Sequence, residues 1–145
     1  MWQRVQTLYL AIATVLVGLL FFVNKAIVPG LPGELPAQEY RYTLYLPYIV
    51  LAAIAVILDL LALTTYKHRV FQMRTAVLAA LITLALQIWI AVDFCLNMGQ
   101  GDIVFRISAV FPVLAVIFDF MAARAIYSDI LIVESVSRLR SRKRR

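Results

Sequence analysis

Two aspartates, Asp59 and Asp119, are the residues of this 145-residue chain whose type and placement could do chemistry. Each interrupts an apolar run long enough to cross a bilayer. A carboxylate at that depth costs about 2.5–3.5 kcal/mol on insertion scales and marks a functional position by default. Both lie about five residues to the same side of their run's midpoint, about 7–8 Å at 1.5 Å per residue. Their helices run in the same direction, which places them at one level. Arg4, Arg74 and Arg124 end their own runs on that side, and long arginine stems can reach back toward such carboxylates. Together the five residues read as an intramembrane polar cluster. One reading is a set of buried ion pairs and hydrogen bonds that fixes helix register. The other is a proton or cation relay, although only Thr83, Gln87 and Asp93 continue the polar file toward the opposite end.

Other chemistry is sparse. There is one histidine, His68, in a basic loop, so no histidine pair can hold a metal or ligate a haem. The single cysteine, Cys95, excludes an intrachain disulfide and a cysteine metal cluster, and reads as a small packing residue. With no Ser-His or Cys-His arrangement either, the chain reads as non-enzymatic, with no cofactor and no metal.

The elements that must position the aspartates are four apolar runs, roughly Leu8–Val23, Leu44–Leu63, Thr75–Leu96 and Ile103–Met121. A span needs about 20 mostly apolar residues to cover a hydrocarbon core of about 30 Å. Charged residues are 15% of the chain, against about 25% in a soluble domain. The second and third runs lack the polar face that a soluble bundle helix keeps. The expected fold is all-α: a transmembrane four-helix antiparallel bundle with a helical cytoplasmic C-terminal extension. The first run is expected to stay uncleaved, because Val23-Asn24-Lys25-Ala26 lacks a small-x-small cleavage pattern.

Basic residues near span ends set orientation. Eleven of the 14 fall on one side of a four-span chain: Arg4, then Lys67, Arg69 and Arg74, then Arg124 and the tail. Lys25, Arg41 and Arg106 fall on the other, offset by Glu34, Glu39, Asp93 and Asp102. Both termini are therefore expected in the cytoplasm. Asn24 to Tyr40, with Pro29, Pro32, Pro36, Gly30 and Gly33, reads as an extended, turn-rich outer loop. Leu96 to Asp102 reads as a tight outer turn. Tyr40, Tyr42, Tyr45 and Tyr48 are expected at the outer headgroup level, and Pro112 is expected to kink the fourth helix.

Small residues at spacings of three and four mark the faces that pack inward. These are Thr7, Ala11, Thr14 and Gly18 on the first helix and Ala52, Ala55, Asp59, Ala62 and Tyr66 on the second. The third offers Ala76, Ala80, Thr83, Gln87 and Ala91, and the fourth Pro112, Ala115, Asp119 and Ala122.

Residues 1–126 form the membrane domain in this reading, and residues 127–145 a basic amphipathic tail. No Gly or Pro interrupts Ala122 to Arg140, so the fourth helix should run on. It ends in Arg138, Arg140, Arg142, Lys143, Arg144 and Arg145, which suit anionic headgroups at about 1 kcal/mol each near the surface. The same charges could bind a membrane-protein partner, or RNA and the ribosome.

The two ends carry a resemblance. Met1-Trp2-Gln3-Arg4-Val5-Gln6-Thr7-Leu8-Tyr9-Leu10 is similar to the M-x-Q-R-x-Q-T-x-Y-L start of a family of small four-span inner-membrane proteins, found mainly in Bacteroidota and without an assigned function. Arg124-Ala125-Ile126, Asp129, Val133, Ser135 and Arg138-Leu139-Arg140 resemble its post-membrane stretch. Ser128, Ile130 and Ser137 depart from it, where a lysine, an acidic residue and an aspartate are usual. The resemblance implies an inner-membrane location and four spans, and implies no activity. The expected function is an accessory or scaffold subunit of a membrane complex, or a homo-oligomer, acting through its basic cytoplasmic face. The alternative is a small oligomeric proton- or ion-coupled transporter using Asp59 and Asp119.

Overall fold

The computed structural model describes residues 2–28, 38–97 and 104–142, with side chains described for 5–27, 39–96 and 106–135. Four helices carry the chain: α1 (Trp2–Leu19), α2 (Leu46–Thr64), α3 (Arg69–Asn97) and α4 (Phe111–Arg142). Three stretches are long and apolar enough to cross a membrane: Leu46–Thr64, Arg69–Leu96 and Ile107–Ser135. The apolar stretch of α1, Val5–Leu19, is shorter. These are the helices of a membrane protein.

Each helix packs on its two neighbours in the ring: α1 on α2 and α4, and α3 on α2 and α4. One buried cluster joins Leu10, Ala62, Ala76, Ala122 and Ala123. A second joins Ala13, Val17 and Leu20 to Tyr48, Ala52, Ala55, Leu86, Ile90 and Ala115. From the first cluster to the second, position moves forward along α1 and α3 (Leu10 to Val17, Ala76 to Leu86) and backward along α2 and α4 (Ala62 to Ala52, Ala122 to Ala115), so the helices alternate in direction. We call the end that holds the α2–α3 turn and the start of α1 the basic end. The other is the far end.

The far end is more ordered than a loop-and-turn reading expects. Three short strands pair antiparallel in the order β2-β1-β3: β1 (Asn24–Val28), β2 (Gln38–Arg41) and β3 (Val104–Phe105). The reason is backbone satisfaction. Chain leaving one helix and entering another must pair its N–H and C=O groups, and the ends of the two connections lie close enough to pair with each other. The central parts of those connections, residues 29–37 and 98–103, lie outside the described residues.

Three of the expected inward stripes match and one does not. Ala52, Ala55, Asp59 and Ala62 on α2 are buried, as are Ala76, Ala80 and Thr83 on α3 and Pro112, Ala115, Asp119 and Ala122 on α4. On α1, however, Thr7 and Ala11 are exposed, and the buried face is Gln6, Leu10, Ala13, Val17 and Leu20. The cause is volume. Alanine lines much of the axis, and protein interiors pack to near-crystalline density, so larger side chains must supply the bulk: Leu10, Val17 and Leu20 of α1, with Leu86 and Ile90 of α3. Tyr66 and Ala91, at the stripe ends, are exposed, as is Cys95, which is not a packing residue. Pro112 is the second residue of α4, where its missing N–H has no helical partner to lose, so it starts the helix instead of kinking it.

The tight alanine axis and the outward small face of α1 respond differently to added volume. Ala55→Leu and Ala115→Leu are expected to destabilise the bundle by about 1–3 kcal/mol each. A Cβ added at Gly18 meets nothing within 4 Å, so Gly18→Ala is expected to gain about 0.5 kcal/mol from backbone entropy. Thermal unfolding in detergent, followed by circular dichroism, measures all three.

Candidate functional site: a buried carboxyl pair between two polar ends

Helices α2 and α4 stand diagonally across the ring and send Asp59 and Asp119 to its centre. Both side chains are fully buried, and they lie within electrostatic reach of one another. Ala55 and Ala62 lie one turn to either side of Asp59, and Ala115 and Ala122 flank Asp119 in the same way. These small neighbours leave room for both carboxyl groups near the axis. Neither oxygen of either aspartate has a hydrogen-bond partner among the described residues.

The expected cluster is therefore only half assembled. Arg74 and Arg124 are exposed and make no ion pair with the aspartates among the described residues. Each sits near the basic end with open surroundings, where a charged head stays solvated instead of reaching into an apolar core. The side chain of Arg4 lies outside the described residues. In place of the arginines, amides line the interior. Gln6 is buried on α1, and its Nε2 has no hydrogen-bond partner among the described residues. Gln87, half-buried on α3, has the same condition at Oε1. Thr83, fully buried, donates to the Ala79 carbonyl at 2.9 Å within its own helix.

The far end holds a polar knot that sequence reasoning missed. Strand β1 carries a bulge between Asn24 and Ala26, so that Lys25 and Ala26, consecutive residues, are both buried. A regular strand would alternate; the bulge re-aims Lys25 inward. Its ammonium pairs with the Asp93 carboxylate and lies over the rings of Tyr45 and Tyr48, 5.2 and 4.9 Å from their centroids. Tyr48 donates to Asp93 at 2.7 Å, and its ring meets Tyr42 and Tyr45 edge-on. Ser108 donates to the Asn24 carbonyl at 2.8 Å and lies 3.5 Å from the Tyr42 hydroxyl. Burial holds the Lys25 ammonium below the usual lysine range. Burial also pushes the Tyr42 phenol up, partly opposed by its contact with Ser108. Tyr42 and Tyr48 are thus core residues and not headgroup anchors. The signal was present: Tyr48 lies four residues before Ala52 and continues the inward stripe of α2.

At the basic end, Arg69 of α3 faces Asp129 of α4 at 3.7 Å. An open apolar groove of about 730 Å³ lies to one side of it, lined by Thr7, Ala11 and Ile12 of α1 with Tyr66 and Gln72. The tail residues Arg138, Arg140 and Arg142 continue α4, with their side chains outside the described residues; Lys143, Arg144 and Arg145 lie wholly outside them. Among the described residues, no group of three or more His, Cys, Asp or Glu side chains could hold a metal ion.

Removing one partner of a buried ion pair strands the other. Lys25→Met and Asp93→Leu are each expected to cost about 3 kcal/mol, with the double substitution costing less than their sum. Denaturant unfolding of the four variants in the cycle measures the coupling. Additive costs would show that the pair does not hold the far end together.

No curated protein matches this chain. Residues 2–139 match the model of a domain of unknown function (DUF4293), and the chain belongs to that family.

Proposed function

We propose that this protein is a non-enzymatic subunit of the bacterial inner membrane. In this reading it crosses the bilayer four times with both termini in the cytoplasm, and serves as an accessory or scaffold through its basic end. The observation that carries the reading is the length of α4. At 32 residues the helix is about 48 Å long, against a hydrocarbon core of about 30 Å. The surplus lies at the basic end, where Leu131, Ile132 and Val133 are all exposed. A helix that leaves its bundle with apolar residues uncovered, and then becomes strongly basic, is suited to contacting something else. Orientation follows the charge bias, since eleven of the 14 basic residues fall on that side of a four-span chain.

A second reading has its own observation. Two carboxyl groups buried within electrostatic reach of each other, with no hydrogen-bond partner among the described residues, make a place for a shared proton or a small cation. That favours a small oligomeric proton- or ion-coupled transporter, oligomeric because one narrow, alanine-packed bundle encloses no pathway.

Two experiments separate these readings. The first is affinity purification from native membranes in mild detergent, comparing the intact chain with one in which Arg138, Arg140, Arg142, Lys143, Arg144 and Arg145 are all changed to Gln. A stoichiometric partner is expected with the former and not with the latter. A homo-oligomer unchanged by the substitutions would sink the accessory reading. The second places Asp59→Asn and Asp119→Asn in liposomes carrying a pH-sensitive dye. The transporter reading expects proton flux from the parent and none from well-folded variants. Loss of folded protein instead would assign the pair a structural role.

A further inference from the structure

Beside the Arg69–Asp129 pair, the α2–α3 turn and the start of α3 stand apart from the emerging part of α4, leaving a cleft of about 910 Å³. Its lining carries two chemistries. The α2–α3 turn supplies Lys67 and His68 and α3 supplies Arg74, all exposed. The apolar part is Val70 and Phe71 of α3, beside Arg74, with Ile130 and Val133 of α4. Arg69 and Asp129 neutralise each other across the junction of the two helices. Lys67 and Arg74, in contrast, make no ion pair among the described residues. Two cations held on one rim, over an apolar floor, suit a ligand that is anionic at one end and greasy at the other.

The geometry points to this cleft as a binding site for one anionic phospholipid, with Lys67 and Arg74 taking the headgroup phosphodiester and Val70 and Phe71 taking the start of the acyl chains. The inference rests on the membrane placement proposed above, which puts the start of α3 at a headgroup layer, and it deepens that reading. The depth agrees: α3 begins at Arg69, one residue from the turn, and its apolar stretch runs from there to Leu96. Lys67 and Arg74 therefore bracket the level at which phosphates lie, and basic pockets between spanning helices are suited to lipid headgroups. A lysine and an arginine together give a point charge and a planar fork, which can hold one phosphodiester from two sides. Glu134 also lines the cleft, and its negative charge weakens the attraction.

The test uses the purified full chain in a neutral detergent, with native mass spectrometry counting bound lipids during titration. Phosphatidylglycerol is the anionic probe and phosphatidylcholine the zwitterionic control. One phosphatidylglycerol is expected to bind at least tenfold more tightly than phosphatidylcholine. Lys67→Gln with Arg74→Gln is expected to lose that preference. The chain with its six tail residues from Arg138 to Arg145 changed to Gln is expected to keep it. Lys67→Gln alone is expected to weaken phosphatidylglycerol binding about threefold, which keeps the proposal testable should the double variant fail to fold. Glycerol phosphate in excess is expected not to displace the lipid.

Equal binding of the two lipids would overturn the proposal. So would a double variant that binds like the parent, displacement by glycerol phosphate, which would mark a free-phosphate site, or a short RNA bound through the same two residues in place of lipid. The purification experiment above reads a protein partner and this one reads lipid. A missing partner with intact lipid selectivity therefore sinks the accessory reading alone, and the reverse sinks the lipid site alone.

Discussion

Two carboxyl groups meeting at the axis of an alanine-lined bundle are the constraint from which the rest of this structure can be understood. Asp59 and Asp119 come from helices that do not neighbour each other, so they can approach only if the axis is narrow. Alanine above and below each aspartate makes it narrow. The same alanines leave too little side-chain volume to fill the interior. The bulk comes from Leu10, Val17 and Leu20 of α1, with Leu86 and Ile90 of α3 and Ile126 of α4, while α1 keeps Thr7 and Ala11 outside. Packing in the hydrocarbon region supplies no hydrophobic drive between helices, so close contact and polar links must hold them.

Those links are unevenly distributed. At the centre the aspartates have no partner among the described residues. At the far end, by contrast, donors and acceptors are closely matched: Lys25, Asp93, Tyr48, Tyr42, Ser108 and the Asn24 carbonyl draw on β1, the chain between α1 and α2, and α2, α3 and the entry to α4. The far end is thus tied across every connection. At the basic end Arg69 pairs with Asp129, partly exposed and of the kind that contributes little.

The sequence made the helices and most of their buried faces legible, because apolar length and small-residue spacing are local signals. Ala52, Asp59 and Ala62 on α2, and Ala115, Asp119 and Ala122 on α4, follow from spacing alone. The inward face of α1 did not, because it is decided by what the other three helices leave unfilled, a property of the assembly. The far-end knot was hidden for a related reason. Lys25 reads as an exposed loop cation until a bulge, created by pairing with a strand about 15 residues away, turns it inward. Tyr48 was misassigned by residue type, since an interfacial tyrosine and a core tyrosine differ only in whether the hydroxyl finds a buried acceptor. Arg74 and Arg124 have the reach to pair with the aspartates, but both are exposed, and water near a helix end competes for the charge.

The three polar regions therefore differ in what they can exchange. The far-end knot is closed and internally matched, so it can hold the fold but has little left to offer a ligand. The central pair is closed and unmatched; a proton or ion reaching it must pass between helices. The loosest seam for that passage is the one between α1 and the α2–α3 turn, where an open groove runs beside Gln6 and Gln72. Gln6, buried on the inward face with an unpartnered amide nitrogen, stands between that groove and the axis. The basic end is open, and its charges lie where lipids or partners arrive.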